Sequence, residues 1–138
     1  MKELKRFLEA QENDFATALA EVRNGRKQSH WMWYIFPQIA GLGFSSMANF
    51  YAIKTKAEAE NYLAHSILGK RLIEISNALL EVEGKTANQI FGSPDDIKLK
   101  SSMTLFGALE NANPVFQSVL DKYFKGAKDQ RTLELIEG

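Results

Sequence analysis

Between residues 68 and 82 the apolar side chains Leu68, Leu72, Ile75, Leu79 and Val82 step by four, three, four and three. That spacing lines one face of an α-helix, and a helix with one apolar stripe must bury it against other elements. Ser66 stands where an N-cap belongs, and Gly84 ends the segment. The same kind of signal recurs along the chain. Phe15, Leu19 and Val22 share a helical face, with Asn13 or Asp14 as cap and Asn24-Gly25 as stop. Leu4 and Leu8 extend that stripe, so the helix begins near residue 2 or breaks between Gln11 and Asp14. Thr55 and Glu58 read as a capping box opening a short helix through Ala64. Ser93-Pro94 opens a helix reaching about Leu109, whose second half from Ser101 is uncharged and apolar on several faces, as a buried central helix is. Asn113-Pro114 repeats the start signal ahead of Val115, Val119 and Tyr123, and Gly126 closes that segment. A last short helix holds Thr132 to Ile136, after Asp129.

The one segment outside this pattern is His30 to Phe36, whose aromatic and β-branched content favours a strand on propensity. A single strand in a helical chain has nothing to pair with. The segment is therefore read as helical or irregular, ended by Pro37. With no Pro/Gly/Ser-rich linker and no repeat, the expectation is an all-α fold: one multihelical domain over residues 1–138 with buried central helices.

Composition narrows the function classes. Without cysteine there is no disulfide framework, thiolate zinc site or cysteine nucleophile. Seventeen basic residues balance seventeen acidic ones, which weighs against nucleic acid as a partner. Met1 to Leu8 lacks the apolar run of a signal peptide, and no stretch approaches a membrane span, so the cytoplasm is the expected location and no membrane partner is expected. His30 and His65 lack metal-ligand spacing, and neither a metal nor a cofactor is expected. For His65, capping or packing is the simpler role.

Charge is uneven locally. No acidic residue lies between Glu21 and Glu58, a window holding Arg23, Arg26, Lys27, Lys54 and Lys56 together with both tryptophans. A second such window, Ile97 to Leu109, carries Lys98 and Lys100. Cations beside indoles suit a phosphate next to a flat ring, and an imidazole titrates near neutrality. Lys27, His30, Trp31, Trp33, Gln38, Arg71, Lys98 and Ser101 are the candidate ligand-binding residues. Against this, tryptophans are mostly buried, Arg71 can run its stem along the core edge, and Ser101 and Thr104 can bond to carbonyls one turn back. The two glycines of Pro37–Gly43 lack the third glycine and the preceding strand of a dinucleotide fingerprint, and a turn needing positive φ accounts for them. No nucleophile–base pair or carboxylate dyad is readable, so catalytic residues are not assigned.

The string Gly25-Arg26-Lys27, Ser29-His30-Trp31-Met32-Trp33, Phe36-Pro37-Gln38 and Gly41-Leu42-Gly43 resembles a bacterial family of unknown function, domain-of-unknown-function family 1810. The resemblance continues through Tyr62-Leu63, Leu68-Gly69, Arg71-Leu72, Phe91-Gly92, Ser101-Ser102 and Thr104-Leu105-Phe106, and so over nearly the whole chain. Gln28 departs from it, standing where a basic residue is expected. The resemblance implies a multihelical single domain and supplies no activity. The name calpastatin attached to members of that family does not fit a chain with 45% hydrophobic residues, because calpastatins resemble disordered, repetitive inhibitors.

Two functions are consistent with these residues. One is a pocket for an anionic small molecule, phosphorylated or nucleotide-like. The other is a protein-interaction module using the aromatic segment 31–44, which requires Trp31, Trp33 or Phe44 to be exposed.

Overall fold

A computed structural model describes residues 2–137, with side chains described from residue 4 onward. Met1 and Gly138, the ends of the expected domain, lie outside the described residues. The chain is all-α: every element among the described residues is a helix, with one isolated parallel bridge between Ile39 and Ile53.

The long first helix, α1 (Lys2–Arg23), runs unbroken through Gln11–Asp14. Gln11 is buried there because its amide donates to the Tyr34 carbonyl at 2.7 Å and the Tyr62 hydroxyl at 2.9 Å. Those bonds satisfy a polar group that would otherwise favour a break at this point. After the loop come a single helical turn, α2 (Met32–Ile35), then α3 (Ser46–Tyr51) and α4 (Lys56–Ala64). The segment from His30 to Phe36 is thus one turn of helix in a loop, as its lack of a strand partner requires.

The stripe of Leu68, Leu72, Ile75, Leu79 and Val82 is buried along α5 (Leu68–Glu81) and its C-cap. Each such side chain contributes about 1.5–3 kcal/mol on leaving water. Helix α5 packs on α1 and α4, and on α8 (Val115–Phe124). The central helix is α7 (Asp95–Gly107), where every residue from Ser101 to Phe106 is buried. It meets α8, α4, α6 (Ala87–Phe91) and the terminal α9 (Gln130–Glu137). No described helix is long and apolar enough to cross a membrane.

The caps refine the sequence expectations. His65, not Ser66, caps α5: its Nδ1 accepts from the N–H groups of Ile67 and Leu68 at 3.1 and 3.3 Å. The chain turns tightly between α4 and α5, and a Cβ on Gly69 would lie 2.0 Å from the Leu63 carbonyl oxygen, so only glycine fits. Thr55 accepts from Glu58 N–H, but the Glu58 carboxylate turns to the Lys54 N–H and to Arg6 instead of closing the box. A complete capping box occurs at Thr86 and Gln89, opening α6. Helix α7 starts at Asp95, one residue past the proline that announces it.

Candidate functional site

The segment between Pro37 and Ile53 leaves the core and returns to it at one place. Ala40 N–H donates to the Ile53 carbonyl and Ile53 N–H to the Gln38 carbonyl, both at 2.8 Å. This closes a surface loop whose ends touch, an Ω-type arrangement. Gly41 turns the chain with φ +106, and the Leu135 side chain from α9 lies against it. Ser45 caps α3 by accepting from Ala48 N–H at 3.1 Å. Arg6 holds the exit: it donates to the carbonyls of Phe50 and Ala52 at 2.8 Å each and pairs with Glu58 at 3.1 Å. Helix α3 buries none of its residues, and Phe44 beside it is 90% exposed.

Between this loop and α7 lies a cleft of about 390 Å³. Its α7 wall is formed by Pro94, Ile97, Lys98 and Ser101. The loop supplies Gln38, residues 42–45 and Ala48 opposite, and Asp129 borders it from the turn before α9. Most of this lining is apolar, with Phe44 and the 57%-exposed Ile97 as its largest uncovered side chains. The polar groups are few. Ser101 Oγ donates to the Ile97 carbonyl at 3.2 Å, one turn back, and keeps its lone pairs. The Gln38 side-chain amide makes no hydrogen bond to a described residue.

Lys98 carries the cleft's positive charge. Its ammonium sits 5.3 Å from the centre of the Trp33 ring and 3.5 Å from Asp95 Oδ1. Asp95 Oδ2 is also 3.0 Å from Lys27 Nζ, which in turn lies 5.1 Å from the Trp31 ring centre. One carboxylate is therefore shared by two ammonium groups, and the trio's remaining positive charge is offset by the Asp129 carboxylate at the cleft border. Lys27 has an 8%-exposed side chain and Lys98 a 24%-exposed one, so Lys98 is the more accessible of the two ammonium groups.

The structure thus brings Trp33, Gln38, Lys98 and Ser101 to one region, with Lys27 behind them through Asp95. The other candidates sit elsewhere. Trp31 is 1% exposed and belongs to the core, its indole N–H donating to Glu21 Oε1 at 2.9 Å. Glu21 also accepts from Gln28 N–H, Ser29 N–H and the Ser29 hydroxyl. Burial alone would raise the Glu21 pKa, but the donors from Ser29, Gln28 and Trp31 outweigh it and pull it from the ordinary 4.5 down to about 2. His30 is exposed and its imidazole bonds to no described residue. Arg71 lies against α1, donating to Gln11 Oε1 at 3.4 Å and covering the Phe15 ring at 5.4 Å.

Sequence reasoning missed Glu21, Asp95, Ile97 and Asp129 as neighbours of the candidates. Glu21 bounds the first acid-free window and Asp95 nearly adjoins the second, so both windows have a carboxylate at their edge that folding draws in. Asp129 is legible in the sequence only as the start of the last helix, not as a neighbour of Lys98 or Ser101. Among the described residues, no three His, Asp or Glu side chains gather as metal ligands would.

Comparison with known proteins gives the fold and the family. The crystal structure of the conserved hypothetical protein Rv1873 from Mycobacterium tuberculosis is similar, with a TM-score of 0.96 at 46% identity over 99% of this chain and 97% of that one. No curated protein matches. The profile of a family described as "Protein of unknown function (DUF1810)" matches residues 1–136. A match over all but the last two residues, on a fold shared with a 46%-identical structure, makes this chain a member of the DUF1810 family.

Proposed function

We propose that the cleft between α7 and the 38–50 loop binds a small anionic molecule with an apolar body, phosphorylated or nucleotide-like. The observation that carries this reading is Lys98, which shares the Asp95 carboxylate with Lys27 and lines a mostly apolar cleft of about 390 Å³. Pockets of roughly 300–1,000 Å³ with apolar walls and a few placed polar groups are the usual form of a small-molecule site. An anion at Lys98 meets a charge held against the Trp33 ring, in surroundings drier than bulk water.

The test is a thermal-shift series with inorganic phosphate, sugar phosphates, nucleotides, ADP-ribose and NAD on the wild type and Lys98→Gln. A ligand at about 100 times its dissociation constant stabilises by about 2.7 kcal/mol, a rise of several degrees for a chain of this length. The expected result is a rise in the wild type that Lys98→Gln loses. A rise of equal size in the variant, or none with any compound, removes the reading.

A second reading, protein interaction through the aromatic segment, draws on the exposure of Phe44 and Phe50 with Met47. It narrows that segment to its far end, since Trp31 and Tyr34 are buried. Under this reading Phe44→Asp abolishes capture of a partner while Lys98→Gln does not.

A further inference from the structure

Resting on the anion-site reading, we infer that the ligand is two-ended: an anionic group at Lys98, an N–H donor at Asp129, and a planar body between them covered by Phe44. A nucleoside monophosphate with an amino-bearing base has this form. The argument starts from Asp129. Its backbone N–H donates to Thr104 Oγ1 at 2.9 Å, which ties the residue to α7. Its Oδ2 accepts from the N–H and the hydroxyl of Thr132 at 2.9 and 2.5 Å and so caps α9. Its Oδ1 makes no hydrogen bond to a described residue, although Asp129 borders the cleft.

A carboxylate oxygen beside an anion site repels the ligand unless the ligand brings a donor to it. Lys98 and Thr104, the residue that fixes Asp129, are six residues apart on one helix, which is about 9 Å of rise. A ligand that touches both ends of this wall is therefore longer than a bare anion, and a phosphate, a sugar and a base together reach that length. Ser101 lies midway along the same wall with lone pairs to accept from a sugar hydroxyl. Opposite stands Phe44, 90% exposed, an aromatic face with no protein group covering it. Base stacking on such a ring is insensitive to which base is present, so the donor at Asp129 is left to set the preference.

The experiment varies the ligand rather than Asp129, because replacing a cap endangers α9. Titration calorimetry compares AMP and CMP, which carry exocyclic amines, with purine riboside 5′-monophosphate and ribose 5-phosphate, on the wild type, Phe44→Ala and Lys98→Gln. The expected pattern is AMP and CMP binding about tenfold more tightly than the amine-free nucleotide, from the lost charge-assisted hydrogen bond. Phe44→Ala, at an exposed position that leaves folding intact, is expected to weaken all three nucleotides several-fold and to leave ribose 5-phosphate unchanged. Equal affinity for all four compounds, lost in Lys98→Gln, overturns the two-ended ligand while the anion site stands. Failure of every compound to bind at millimolar concentration overturns both.

Discussion

Residues 21–36 and 38–50 are neighbours in sequence and both carry aromatic side chains, yet they end in opposite environments. The first is turned inward: Trp31, Met32, Ile35 and Phe36 enter the core, and four donors converge on the Glu21 carboxylate. The second is turned outward: α3 buries nothing, and Phe44 stands in solvent beside a cleft. What separates them is the availability of a partner for each polar group. Glu21 gives the first loop a buried acceptor for its indole and backbone donors. The second loop settles its polar groups within itself, through Ser45 and the Ile39–Ile53 bridge, or on Arg6, and reaches the core through Ile39 and Leu42 alone. An aromatic residue therefore stabilises the fold in one half and is left over in the other.

Substitutions can break or sharpen this contrast. Trp31→Ala has the largest expected effect, about 4 kcal/mol lost in urea unfolding, because it empties a core site and strands part of the Glu21 cluster. Arg6→Ala is next, at about 3 kcal/mol, since Glu58 keeps its charge near the core with its cationic partner gone. It acts on the outward loop only through its fixed end, so limited proteolysis is expected to cut between Phe44 and Ala52 faster than in the wild type.

Glu21→Gln follows at about 2 kcal/mol near neutral pH, where an amide replaces a charged acceptor. The wild-type carboxylate has a folded-state pKa below its unfolded value, so its contribution is complete above about 4.5 and is lost as pH falls toward about 2. The stability of Glu21→Gln is accordingly expected to vary less with pH across that window, and unfolding followed at several pH values checks it. Phe44→Ala comes last, with a change within about 0.5 kcal/mol, as for other exposed positions. A loss above about 2 kcal/mol would mean that Phe44 is packed and that the two regions do not differ as described.

Most of the helices were legible because their signals are local. The stripe on α5, the buried half of α7 and the starts of α8 and α9 are written in spacing and caps a few residues apart. The site was only partly legible. Trp33, Gln38, Lys98 and Ser101 do meet, but the acid-free windows that suggested them are not acid-free in space. Asp95 reaches Lys27 across 68 positions, and Glu21 turns back onto Ser29 and Trp31. Such pairings depend on how helices dock, and no period in the sequence encodes them. His65 makes the same point at short range: its ring nitrogen, rather than the serine hydroxyl next to it, accepts from the N–H groups of Ile67 and Leu68.

The bridge between Ile39 and Ile53 has a consequence for how such a protein diversifies. Since the two ends of the loop meet, the entropy of closing it depends only weakly on what lies between them. The segment is in effect an interchangeable cassette. Transplanting the corresponding stretch from the 46%-identical mycobacterial protein exchanges one cleft wall while α5, α7 and α8 stay as they are. A change in the sequence between the two ends alters that wall without renegotiating how the helices pack.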